Sequence, residues 1–169
     1  MNEQSSGEGR ITHRRTLQKV LIIGIGNEYR RDDGVGLVIA RTLRERLPGS
    51  VSIKEESGEG AALIEAWQGY ERVILIDAIS SGSTRGTIFK IDVRKKKVPA
   101  KFFHSSSHAF GTAEAIELAR VMKTLPRELR IYGIEGAAFT AGRTISDSVQ
   151  VSAQKVVKQI LKFINRTGR

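Results

Sequence analysis

The amino-acid sequence predicts an α/β fold, a three-layer α/β/α sandwich around a mostly parallel five-stranded sheet with one antiparallel edge strand, and three features carry that reading. Two aliphatic runs, Val20-Leu21-Ile22-Ile23 and Val73-Ile74-Leu75-Ile76, contain no polar residue, the pattern of strands covered on both faces. Between and after them apolar residues recur at helical spacing, so strands and helices alternate along the chain. The chain then finishes on Val149, Ala153, Val156, Val157, Ile160, Leu161 and Ile164, one apolar face sustained over about four helical turns.

The first strand starts near Lys19, ends in Gly24-Ile25-Gly26-Asn27 and is expected at the centre of the sheet. Val35, Val38, Ile39, Leu43 and Leu47 then mark a helix that Pro48-Gly49 stops. Val51 and Ile53 alternate as a short second strand, and the loop Glu56-Ser57-Gly58-Glu59-Gly60 leads to a helix through Ala62, Leu63, Ala66 and Trp67. The third strand, Val73 to Ile76, runs straight into Asp77, which places an ionisable group at or near its C-terminal end. Phe89, Ile91 and Val93 alternate with Lys90, Asp92 and Arg94, and the connection Ser80 to Gly86 is too short for a parallel crossover. That strand is therefore read as the antiparallel edge. A helix from about Thr112 to Thr124 is expected to bury Ala115, Ile116, Ala119 and Met122; Leu129, Ile131 and Ile134 form the last strand before Glu135-Gly136; and Ser146 is placed to N-cap the final helix.

A chain of 169 residues with 40% hydrophobic content fits one globular domain. Residues 1–17, without periodic apolar pattern, read as a disordered arm, 18–165 as a single catalytic domain and 166–169 as a basic tail. There is no cysteine, so disulfides, thiolate metal sites and a cysteine nucleophile are excluded together. No signal-type apolar segment follows the first basic residues, and no run reaches the roughly 18 apolar residues of a membrane span. These features point to a soluble cytoplasmic protein without membrane contact. The net charge of +10 raises nucleic-acid binding, but the basic clusters are scattered and aromatics are only 6% of residues, so attraction to an acidic protein partner is the better reading.

In an open α/β sheet, ligands meet the chain at the C-terminal ends of the parallel strands. Asp33 lies in the loop after the first strand, Asp77 at the end of the third, and His108 in the loop before the helix that precedes the last strand. Two carboxylates and an imidazole suit a borderline divalent cation such as nickel or zinc with positions left open for substrate. Each residue also has a structural alternative: Asp32 or Asp33 as N-cap of the first helix, Asp77 as anchor of the next turn, His108 as part of a capping segment beside Ser105-Ser106-Ser107. Gly24-Ile25-Gly26 lacks the third glycine of a dinucleotide turn because Tyr29 stands there, and Asp32-Asp33 would oppose a phosphate. Neither a nucleophile elbow nor a His-Glu-x-x-His helix is present.

The segment Gly24-Ile25-Gly26-Asn27-Glu28-Tyr29-Arg30-Arg31-Asp32-Asp33-Gly34-Val35-Gly36 resembles the opening signature of the nickel-iron hydrogenase maturation proteases. The resemblance continues through Ser57-Gly58-Glu59-Gly60, Asp77-Ala78, the His108 loop and Tyr132-Gly133-Ile134-Glu135. It implies an endopeptidase that removes a C-terminal peptide from a hydrogenase large-subunit precursor, its partner, after nickel insertion. It also implies that Asp33, Asp77 and His108 form the catalytic and nickel-recognition site, with His104 the competing imidazole, and that the nickel arrives with the precursor. The chain departs from the family pattern with Tyr29 where Leu is usual, Asp33 where some members have Glu, and the Ser-Gly-Glu-Gly loop where Gly-Gly-Thr is frequent. The rival from another class is a non-catalytic α/β module that binds a metal-loaded precursor or a small ligand.

Overall fold

The computed structural model describes residues 19–103 and 110–167. Five strands, β1 (Val20–Ile25), β2 (Val51–Glu56), β3 (Arg72–Ile79), β4 (Ile88–Asp92) and β5 (Glu128–Glu135), form one sheet in the order β2-β1-β3-β5-β4. Four strands are parallel, and β4 pairs antiparallel to β5 at the edge, from Ile88 opposite Ile134 to Asp92 opposite Arg130. The predicted sandwich and its antiparallel edge strand are both present. One placement differs: β3, not β1, is the middle strand, with β1 and β5 on its two sides.

The polar-free runs are explained by what covers them. Alternate side chains of β1 and β3 enter two separate cores. Leu21, Ile23, Val73 and Leu75 pack with Leu63 and Trp67 of α2 (Gly60–Trp67) and Ile116 and Ala119 of α3 (Thr112–Val121). Ile22, Ile74 and Ile76 pack on the other face with Ile39 and Leu43 of α1 (Val35–Arg44) and Val149, Val156 and Ile160 of α4 (Asp147–Thr167). With period two and a helix layer on each face, no strand position is left for a polar residue.

Two expectations are corrected. Met122 lies outside the core, 59% exposed, because α3 stops at Val121 and the Thr124 N–H folds back onto the Ala119 carbonyl at 2.9 Å. Asp77 does not end its strand: β3 continues to Ile79 because β5 runs beside it as far as the Ile79–Glu135 pair. The apolar face read for the final helix, Val149 to Ile164, packs in the core as expected, on a helix of 21 residues, Asp147–Thr167. No helix among the described residues is long and apolar enough to cross a membrane.

The approach of α1 to the sheet depends on two glycines. A Cβ at Gly36 would lie 2.2 Å from the Ile25 carbonyl oxygen and 2.4 Å from that of Ile76, and one at Gly24 would lie 2.3 Å from the Gly36 oxygen. Both obstacles are backbone, so the first turn of α1 can rest on β1 and β3 only where these residues have no side chain. Gly36→Ala is expected to lower stability by about 1–3 kcal/mol through overpacking, read as a reduced midpoint in urea unfolding.

Candidate active site

Pairing of β1 with β3 ends at Gly24 opposite Ile76, so Asp77 is the first β3 residue beyond β1's hydrogen-bonded reach. The chain leaving β1 turns through Asn27, makes a 3-10 turn over Arg31–Gly34 and starts α1 above the same strands. Gly26 permits the descent. Its φ is +143°, and a Cβ there would lie 1.8 Å from the Asp33 carbonyl oxygen. Asp33 and Asp77 thus meet at one edge of the sheet, 7% and 6% exposed.

Burial pushes the Asp77 carboxyl well above its ordinary range, and the negative charge of Asp33 pushes it further; a hydrogen bond from the Ala78 N–H acts in the opposite direction and is outweighed. Two buried carboxylates, one of which raises the proton affinity of the other, form a site suited to a cation. His108 and His104 lie outside the described residues, and among the described residues no cluster of three or more His, Asp or Glu side chains gathers in metal-binding geometry.

Neither Asp32 nor Asp33 occupies the N-cap position of a helix: that position is Gly34 for α1 and Arg30 for the 3-10 turn before it. Asp32 has a different role that sequence reasoning missed. It is 0% exposed and accepts four hydrogen bonds: Oδ2 from the N–H groups of Ala137 at 2.7 Å and Ala138 at 2.8 Å and from Ser146 Oγ at 2.9 Å, and Oδ1 from Ser146 N–H at 2.7 Å. Ser146 does occupy the start of α4, with its carbonyl accepting from Val149 and Gln150, but its hydroxyl is turned to Asp32. Burial by itself raises the Asp32 pKa, yet the bonds from Ser146, Ala137 and Ala138 outweigh it and hold the carboxyl below its ordinary value.

Backbone bonds extend the clamp. Arg31 N–H donates to Gly142 O at 2.8 Å, Gly142 N–H to Tyr29 O at 2.9 Å, and Asp32 N–H to Ala138 O at 3.1 Å. Together they hold the loop after β1 against the segment joining β5 to α4, and Arg31 takes φ 52° to fit, a left-handed conformation that costs a non-glycine residue roughly 1 kcal/mol. Two further carboxylates order the neighbouring loops. Glu135 accepts from the backbone of Ser81 and Gly82 and from Ser81 Oγ at 2.7 Å, while Glu59 N-caps α2 through Ala61 and Ala62 at 2.9 and 2.8 Å. The acidic residue in the Ser-Gly-Glu-Gly loop therefore has a local structural function. The Glu59 cap joins residues within three positions of one another, whereas the partners of Asp32 lie more than 100 positions away, where no local pattern records them.

The sequence model of the hydrogenase maturation protease family (HycI) matches residues 38–163. The chain belongs to this family. Hydrogenase 2 maturation protease of Escherichia coli (strain K12) is 25% identical over 154 residues, covering 89% of this chain and 93% of that relative. The hydrogenase expression/formation protein HoxM of Azotobacter vinelandii is 29% identical over 159 residues, covering 90% and 75%. Among solved structures, the hydrogenase maturating endopeptidase HybD from E. coli superposes with a TM-score of 0.76 at 23% identity, over 89% of this chain and 94% of that one, and shows the shared fold. The [NiFe] hydrogenase maturation protease HybD from Thermococcus kodakarensis has a TM-score of 0.68 at 29% identity, over 86% and 98%. As a hydrogenase maturation protease the chain is a peptidase, which sets aside the nucleotide-binding and non-catalytic readings.

The two buried aspartates should respond oppositely to substitution. Asp32 is ionised in the fold with a lowered pKa, so its contribution is complete above the ordinary value of 3.8 and is lost as pH falls below it. Asp32→Asn should therefore cost about 3 kcal/mol at neutral pH, and the gap to wild type in urea melts should close only in acid below that value. For Asp77 the fold holds the proton more tightly than the unfolded chain, so stability falls as pH rises above 3.8. Asp77→Asn should accordingly raise neutral-pH stability by about 1 kcal/mol; a loss in the same melts would contradict the assignment of Asp77 as a destabilising buried charge.

Proposed function

We propose that this hydrogenase maturation protease removes a C-terminal peptide from a nickel-loaded hydrogenase large-subunit precursor in the cytoplasm, a reducing compartment compatible with its cysteine-free chain. The observation that carries the reading is the convergence of Asp33 and Asp77, both buried, with Asp33 raising the Asp77 pKa. Neighbouring buried carboxylates penalise each other's charge. A divalent cation presented by the substrate would relieve both burial and repulsion at once, so the pair favours a precursor that carries the metal over one that lacks it.

In this mechanism the nickel belongs to the substrate, and Asp33 and Asp77 bind it, with His108 as third ligand by resemblance to the family. Holding the metal fixes the adjoining peptide segment over the sheet edge, which converts encounter into orientation. The substrate's metal can polarise the scissile carbonyl or activate a water molecule, and either lowers a hydrolytic barrier by several kcal/mol. The protein's part is to bind the cation and keep the carboxylates aligned. That alignment relies on the Asp32 clamp, since Asp32 and Asp33 are consecutive in one short turn.

The test is intact mass of a large-subunit precursor, with and without nickel, after incubation with wild type, Asp33→Asn or Asp77→Asn. Nickel-dependent loss of a C-terminal peptide is expected with wild type, and each variant should slow it by at least about a hundredfold. Wild-type rates in the Asp77→Asn variant, or cleavage indifferent to nickel, would overturn the mechanism.

A further inference from the structure

Tyr29 stands where the family signature usually has Leu, and the structure leaves its ring 59% exposed. An exposed aromatic is ordinarily free to rotate, but this one is held. Its backbone N–H donates to Asn27 Oδ1 at 2.9 Å, its carbonyl accepts from Gly142 N–H, and the guanidinium of Arg143 lies over its ring, 4.5 Å from the centroid. Arg143 comes from the opposite loop, so the stacked pair bridges the two segments that the Asp32 clamp joins.

The charge of that ledge is lopsided. Arg143 has a 63% exposed side chain, and the carboxylate it meets, Glu28, lies at 4.0 Å and is also approached by Arg41 at 3.7 Å. A planar guanidinium in this position keeps donors available for a second carboxylate, and its stacking on Tyr29 fixes the orientation of its fork. The φ of 52° at Arg31 adds to the picture: the loop is held in a costly conformation by bonds to Gly142, with Arg31 two residues before Asp33 on one segment and Gly142 one residue before Arg143 on the other. Strain kept beside a catalytic turn, with an ordered arginine and tyrosine exposed on it, matches a preformed recognition surface.

We infer that the Tyr29–Arg143 ledge is a specificity-determining subsite that receives an extended segment of the precursor through an acidic side chain, which pairs with the Arg143 guanidinium while the adjoining chain lies along the Tyr29 ring. The inference rests on the reading that Asp33 and Asp77 process a precursor, because it is the turn carrying Asp33 that presents the ledge. It assigns the ledge to binding. Its residues act on the affinity for the precursor and leave the hydrolytic step to the aspartates.

Two measurements separate the ledge from the reading it rests on. In the first, fluorescein-labelled hexaglutamate is titrated by anisotropy with full-length wild type, Arg143→Glu, Tyr29→Ala and Lys155→Glu, the last an exposed α4 residue that makes the same charge change elsewhere. Arg143→Glu should weaken binding at least about fivefold and Lys155→Glu less than about twofold, with Tyr29→Ala between them and thermal midpoints unchanged. Equal losses in the two charge reversals, or no binding by wild type, would overturn the ledge. In the second, precursor processing by Arg143→Ala should show KM raised about tenfold with kcat within about twofold, whereas an equal fall in kcat and kcat/KM would place Arg143 in the chemical step and overturn its role as a binding residue. If wild type leaves the precursor uncut, the processing mechanism fails, and the peptide titration still decides the ledge.

Discussion

The four hydrogen bonds to Asp32 are the interaction on which the upper surface of this protein depends. They connect the turn after β1 to the segment between β5 and α4. A buried carboxylate is costly, and it persists only where N–H and O–H groups replace the water it has lost. Here that replacement supplies the geometry: with Asp32 clamped, the adjacent Asp33 is directed to the sheet edge, Tyr29 is carried outward, and α1 begins directly above β1 and β3. Ser146 completes the link by giving both its N–H and its hydroxyl to the carboxylate while its carbonyl starts α4.

Asp32 and Asp77 show how one residue type takes opposite roles through its surroundings. Both are almost fully removed from solvent. Asp32 has donors on both oxygens that outweigh its burial and hold its pKa below the ordinary value; Asp77 is pushed above it, first by burial and then by the charge of Asp33. The first stabilises the fold, whereas the second is a cost the fold carries, offset by packing in the two cores beneath it. Such a division is what a site prepared for a cation requires, since a carboxylate already satisfied by N–H groups has little left to offer a metal.

Rigid packing explains how a site built on two short loops holds its shape. Gly24, Gly26 and Gly36 allow backbone to rest on backbone where any side chain would intrude, so the carboxylates stand on the sheet and first turn of α1 with little slack. The remaining loops at this end are tied by their own carboxylates, Glu135 to Ser81 and Gly82, and Glu59 to the start of α2. The strain at Arg31 is maintained by the same network that aligns Asp33.

The alternation of doubly buried strands with amphipathic helices, the antiparallel edge strand and the glycine-aspartate signature were all legible in the sequence, because each rests on local periodicity or short spacing. Periodicity also misled at the ends of elements: it placed Met122 in the core and stopped β3 at Asp77, since a helix terminus is decided by where its carbonyls find partners and a strand terminus by how far its neighbour runs. The sequence by itself determined the layers of this protein and the residue types at its sheet edge, as those depend on which side chains leave water. Only the tertiary structure decided that Asp32 is a clamp, that Asp77 meets Asp33, and that Arg143 stacks on Tyr29. Each of those contacts joins residues from distant parts of the chain, where no local pattern records the partner.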